Sequence, residues 1–168
     1  MKLTPDYYET KINDCITKAP FESGVEILVF NLLDEIVGHH GVSVIDINRC
    51  PKNADVRFCT EGGIPDIAVV SNDFVFQDQK KGTVYGLIEV KAAGVSVRET
   101  GQIQGQRSKV SHHIATNGIN WIYYHNGEQQ WEINICTKPI PYSAAPLQID
   151  KKNFEELVQK LGGIVWTK

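Results

Sequence analysis

Asp66, Glu89 and Lys91 are the residues whose types and spacing could do chemistry in this chain. Glu89 and Lys91 stand at i and i+2 at the end of an apolar run, Tyr85 to Val90, so on a β-strand they point to the same side. Burying two charges on one face of an apolar strand is costly unless something uses them. Asp66 follows Gly63-Ile64-Pro65 and opens a second apolar run, Ile67 to Val70. The segment between, Asn72 to Thr83, is rich in charge and contains Gly82, so it reads as a loop. If the two runs pair antiparallel with Ser71 facing Val84, facing residues share the index sum 155 and Asp66 falls opposite Glu89. That register puts two carboxylates and an ammonium about 5 Å apart at their Cβ atoms. Hard oxygen donors so placed suit a divalent cation such as Mg²⁺ or Mn²⁺.

The surrounding sequence predicts the elements that must hold these residues. Thr4-Pro5-Asp6 is a helix start, with a capping Thr, Pro at the first helical position and an acid favoured by the helix dipole; the helix runs to about Thr17. Phe21 to Val37 carries Val25, Leu28, Val29, Leu32, Leu33 and Ile36 on one wide apolar face and stops at Gly38. Glu26 sits within that apolar pattern, so its carboxylate is expected to face inward toward a charge or a metal; Glu22, one turn earlier, is the alternative. Either is otherwise an ordinary solvated helix charge. Val42 to Ile47 alternates as a strand, and Asp55 to Thr60 reads as a short strand or extended segment. Gly62 and Gly63 allow a sharp turn before Pro65, or close approach of a nucleic-acid backbone, the turn being favoured. Thr83 to Lys91 is the expected central strand, followed by the small residues Ala92-Ala93-Gly94. A helix is predicted from Val97 to His113, with Gln102 and Gln106 on one face. Ala115 to Tyr124 reads as a turn and a strand, His125-Asn126-Gly127-Glu128 as a hairpin turn, Trp131 to Thr137 as the return strand, Lys138 to Ile149 as a surface loop and Lys151 to Leu161 as a terminal helix.

Pro65-Asp66 with Glu89-Val90-Lys91 resembles the PD-(D/E)XK nuclease superfamily, and the resemblance spans about Phe21 to Tyr124. The strand containing Thr116-Asn117-Gly118 and Trp121 is similar to one that follows a Gln-bearing helix in type I restriction subunits and related nucleases. In those families a Tyr follows the Gln by four residues. Here Val110 follows Gln106 and Ser108 follows Gln104, so which Gln faces the site stays open. The resemblance implies an α/β, restriction endonuclease-like core, a mixed central β-sheet flanked by helices, that hydrolyses phosphodiester bonds of DNA with Mg²⁺ or Mn²⁺. Asp66 and Glu89 would bind the ion with the Val90 carbonyl, Lys91 would sit beside the attacking water, and Glu26 (or Glu22) would complete the metal site. Arg98, Gln102, Gln106, Arg107 and Lys109 form the best phosphate-contacting surface, although a solvated helix face has the same composition. A surface salt-bridge trio is the bland alternative for Asp66, Glu89 and Lys91. The same fold without catalysis, as a nucleic-acid or protein binding module, and an RNA-directed nuclease are the other readings.

At 168 residues with 42% hydrophobic content, the chain is expected to form one domain: a core over about 21–137, with the first and last helices packed on it. No stretch reaches the ~18 consecutive apolar residues of a membrane span. The four cysteines, Cys15, Cys50, Cys59 and Cys136, lack metal-ligand or disulfide-framework spacing and fit reduced thiols in a cytoplasmic or nuclear protein that is not secreted. Net charge is −3, which counts against strong sequence-blind DNA binding. Specificity would then come from nucleic-acid structure, a homodimer partner or a separate subunit. No nucleotide-binding P-loop or serine-hydrolase elbow is present. His39-His40 and His112-His113 are adjacent pairs without metal-site spacing and read as surface residues.

Overall fold

The two apolar runs flanking Asp66 and Glu89 become the inner strands of a mixed sheet. The structure, a computed structural model, describes residues 3–38, 41–51, 55–137 and 146–167. Its strands are β1 (Val42–Asp46), β2 (Ile67–Ser71), β3 (Val84–Val90), β4 (His112–Thr116), β5 (Asn120–His125) and β6 (Glu128–Asn134), lying side by side in sequence order. The helices are α1 (Pro5–Lys18), α2 (Glu22–Val37), α3 (Gly101–Arg107) and α4 (Lys151–Gly162). Every strand pairing is antiparallel except β3 with β4, which is parallel and is crossed by α3. A parallel pair needs such a crossover, because its strands cannot be joined by a tight turn.

Strands β2 and β4 are buried along their whole length, so each serves two layers. Ile67 and Val69 with Ile88 and Val90 face a core shared with α1, α2 and α4. Ala68, Val70 and Leu87 face the opposite side and pack with Ile47 and Phe58, while Ala115 and Ile122 pack with Ile103 of α3. α1 begins as expected: the Thr4 side chain accepts the Tyr7 amide at 3.2 Å, and Pro5 is the first helical residue. The Asn126-Gly127 turn has φ of 50° and 79°, the left-handed pair that a two-residue hairpin demands.

Two segments depart from expectation. The predicted helix over Val97 to His113 is short: α3 ends at Arg107, and His112 and His113 belong to β4. Both histidines are buried, not surface residues, and as neighbours on a strand they point to opposite faces. The segment expected as a short strand or extended segment over Asp55 to Thr60 is a series of turns ending in a bridge from Thr60 to Gly63. His39 and His40 and most of the loop predicted from Lys138 lie outside the described residues. No described helix is long and apolar enough to cross a membrane, and the four cysteines are free thiols.

Candidate active site

The β2–β3 register brings the acids together. Ile67 faces Ile88, Ala68 faces Leu87 and Val69 faces Gly86, which is the expected index sum; the ladder ends there, and Asp66, at a bend just before β2, sends its amide to the Ile88 carbonyl at 3.1 Å instead of continuing the register to Glu89. A bulge between Val69 and Val70 shifts the far end, so Val70 faces Val84 and the Ser71 amide bonds to the Thr83 carbonyl at 2.9 Å. That slip lies at the end of the ladder away from Asp66 and Glu89. Asp66 is nearly buried and accepts the Val90 amide on Oδ2 at 2.6 Å. The N–H and C=O of an extended residue point to the same strand edge, so the Val90 carbonyl also faces the Asp66 side. On the other edge, the Lys91 amide bonds to the Thr116 carbonyl at 2.8 Å, so the turn after β4 pins the lysine's backbone.

Glu89 is buried and meets three donors. Oε1 accepts from Lys91 Nζ and from Gln102 Nε2 at 2.6 Å; Oε2 accepts from Gln106 Nε2 at 2.6 Å. Gln102 Oε1 in turn lies 3.2 Å from Lys91 Nζ. Gln102 and Gln106 of α3 therefore face the site, whereas Gln104, the third glutamine of the helix, is exposed and bonds to Glu99. Two glycines make this approach possible. A Cβ on Gly62 would lie 2.0 Å from the Gln102 carbonyl oxygen, and one on Gly105 would lie 2.4 Å from the Gly62 amide nitrogen. Gly62 and Gly105 thus set the helix against the 60–63 turn, which is an internal role and the turn reading of Gly62.

Charge is unbalanced around Asp66. Burial, then the neighbouring Glu89 charge, push its carboxyl up to about 7; the Val90 N–H opposes this, and Glu26 and Glu22 add to it. Burial alone would lower Lys91, but the hydrogen bond and charge of Glu89, with Glu22 and Asp66, outweigh it and hold the ammonium above its ordinary value. Glu26 is buried, as its place in the apolar pattern implied, and accepts Asn48 Nδ2 at 2.6 Å. Burial raises Glu26, the Asn48 bond pulls it down, and Asp46 and Glu22 raise it. Glu22 is exposed.

The expected phosphate-contacting surface is largely committed elsewhere. Gln106 is wholly buried and turned inward to Glu89, which corrects its assignment to an outer face. Arg107 pairs with Glu99 at 2.6 Å and lies over the Tyr124 ring, and Lys109 donates to the carbonyls of Val56 (2.7 Å) and Cys59. Arg98 is exposed, and Gln102 is half-buried at the Glu89 side. Two residues stand at the site that were not expected in it, His113 having been read as part of the basic, phosphate-contacting segment. Asn48 reaches Glu26 from the loop after β1, and His113 lies behind Gln106, its Nε2 3.0 Å from Gln106 Oε1. Neither had a local sequence signal, because both contacts are made across the fold.

The donors suit a hard divalent cation: two adjacent carboxylates, a carbonyl on the same side, and an acid raised for want of positive charge. Among the described residues no group of three His, Cys, Asp or Glu side chains converges on one point. That is compatible with Mg²⁺, which typically takes one or two protein carboxylates and completes its shell with water and substrate oxygens.

No protein-family profile matches the chain, and no curated protein matches it in sequence. In fold it is similar to a chain of a cryo-EM structure of a DrdV–DNA complex, with a TM-score of 0.58, 14% identity and 95% of each chain covered. A DUF820 protein from Anabaena variabilis superposes with a TM-score of 0.45 and 14% identity over 82% of this chain and 81% of that one, and carries no weight here. With its mixed six-stranded sheet and flanking helices, the chain has the restriction endonuclease-like fold.

Proposed function

We propose that this protein is a divalent-metal-dependent endonuclease that hydrolyses phosphodiester bonds of DNA. The observation carrying this reading is Asp66, a nearly buried carboxylate raised to about 7 beside Glu89, with the Lys91 ammonium at the same strand end. DNA is favoured as substrate because the fold is shared with a chain in a DNA complex. Asp66 and Glu89, with the Val90 carbonyl, would hold Mg²⁺ or Mn²⁺, and Glu26 a second ion or a water. Bound there, the ion would relieve charge on the reacting phosphate and make a bound water more acidic. Lys91, held protonated by Glu89, would orient the attacking water and offset phosphate charge. Arg98, an exposed cation, would contact the nucleic-acid backbone. A homodimer, or a separate specificity subunit, would supply target choice.

One observation favours a second reading. Glu89 already accepts from Lys91, Gln102 and Gln106, as it would in a module of this fold that binds nucleic acid or protein without catalysis. Plasmid and a structured RNA, incubated with the protein in Mg²⁺ or Mn²⁺, separate the possibilities. Cleavage of plasmid that drops at least ~10³-fold in Asp66→Ala and Lys91→Ala supports the nuclease. DNA retention with no cleavage, and no heat of Mn²⁺ binding, would leave the silent module.

A further inference from the structure

Glu89 has two unlike oxygens. Oε1 is met by Lys91 and Gln102, both half-buried side chains at the open end of the strand. Oε2 is met by Gln106, which is fully buried, and Gln106 is met in turn by His113, also buried. A glutamine amide has a donor end and an acceptor end of nearly the same shape. Turned over, Gln106 would place its carbonyl oxygen against the Glu89 carboxylate, a repulsive contact in a dry site.

We infer that His113 is a positioning residue: its Nε2–H donates to Gln106 Oε1, fixes the amide with its NH₂ toward Glu89 Oε2, and so leaves Glu89 Oε1 as the oxygen that turns to a metal. The tautomer follows from the surroundings. His113 Nδ1 is buried with no hydrogen-bond partner among the described residues, and an orphaned N–H donor there is a rarer arrangement than a bare lone pair. The proton therefore sits on Nε2. Burial, with the nearby Arg107 charge, pushes the imidazole down to about 3, so it is a neutral donor across the working range and adds no positive charge to an acid site that needs its negative charge. The parallel β3–β4 register supplies the geometry. His113 is level with Leu87, and Ala115 with Glu89, so the ring stands two residues behind the carboxylate on the same sheet face. Gln102 and Lys91, by contrast, are free to leave Oε1 when an ion arrives.

This inference rests on the metal-site reading, and its test is read apart from cleavage. The variants are His113→Leu, His113→Gln (whose Nε2–H₂ can occupy the imidazole Nε2 position), Gln106→Leu, Gln102→Leu and the double variant His113→Leu/Gln106→Leu. Mn²⁺ affinity is measured by calorimetry, and the Gln106 side-chain NH₂ resonances are followed by NMR in the metal-free protein. The expected result is a loss of Mn²⁺ affinity of about 10-fold in His113→Leu and in Gln106→Leu, with no further loss in the double variant. His113→Gln restores most of it, Gln102→Leu leaves it unchanged or tighter, and the Gln106 NH₂ protons lose their slow exchange in His113→Leu. Unchanged Gln106 resonances in a folded His113→Leu, or additive losses in the double variant, overturn the role of His113. Wild-type protein that takes up no Mn²⁺ while His113→Leu still frees the Gln106 amide overturns the metal-site reading and leaves the orientation standing.

Discussion

Two buried aspartates, eleven residues apart in sequence, are treated in opposite ways. Asp55 accepts from Arg57 through the backbone amide at 3.0 Å, Nε at 2.9 Å and Nη2 at 2.6 Å, and from the Gln77 amide at 2.9 Å. Arg57 also donates to the carbonyls of Lys81 and Val75 and lies over the Phe74 ring, so the pair ties down the loop between β2 and β3. The Arg57 hydrogen bond leads a set of effects that hold the Asp55 carboxyl down at about 2. Asp66 has one amide donor and three acids as electrostatic neighbours, and stands at about 7. A buried acid that only builds structure is satisfied in full. One that is buried beside other acids with a single amide donor is destabilised in its charged form.

The contrast is broken most severely at Asp55. Asp55→Ala leaves the half-buried Arg57 without its carboxylate and the Gln77 amide without its acceptor, and should cost about 2–4 kcal/mol, read by urea and thermal unfolding. A loss under 1 kcal/mol would mean that the lock is decorative. Asp66→Asn should move the other way. It keeps an oxygen for the Val90 amide and removes the unbalanced charge, so the metal-free protein should gain about 1–3 kcal/mol at pH 8 while Mn²⁺ binding is lost. A destabilised Asp66→Asn would show that its charge is compensated after all.

Titration sharpens the same comparison. Asp66 has a folded value raised above the ordinary 3.8, so its contribution to stability is full below about 4 and is lost as pH rises through about 7. Asp55 has a depressed value, so its contribution is present above about 4 and is lost as pH falls through about 2. Because His113, held down at about 3, gains stability as pH rises through the same range, the Asp66 contribution is read as a difference between proteins. In EDTA the stability of Asp66→Asn relative to wild type should grow between about pH 4 and 7, and saturating Mg²⁺ should flatten the Asp66 contribution in wild type. The smallest effect is expected from Glu26→Gln, which removes one like charge and should lower the Asp66 titration midpoint by a few tenths of a unit to about one unit, followed by carboxyl NMR.

The site was legible in the sequence where two strands carried their own signals. Apolar runs on either side of a charged loop gave the register from Ile67–Ile88 to Val69–Gly86 that brings Asp66 near Glu89; the bend at Asp66 and the Val69/Val70 bulge, which have no local mark, escaped it. Glu26 was legible because its apolar neighbours at helical spacing leave it one direction to face. β4 was not. All five of its residues are buried on one side of the sheet or the other, so period-two alternation is absent, and His112-His113 simply extended a helical pattern. The contacts of Arg107 and Lys109 were hidden for a related reason: a charge in or just after a helix does not reveal that a distant carbonyl or a Glu on the preceding loop already meets it. Gly62 and Gly105 were visible as glycines, but their partnership exists only in three dimensions.

The parallel seam between β3 and β4 separates two stretches of chain that are otherwise locally knit, β1 to β3 on one side and β4 to β6 on the other. A growing polypeptide emerging from a ribosome would complete Asp66, Glu89 and Lys91 before Gln106 and His113 had been made. The acids therefore exist for a time without the amide and imidazole that aim them. On this architecture the hydrogen-bonded cluster around Glu89 is complete only once the second half of the chain has been synthesised and has closed against the first.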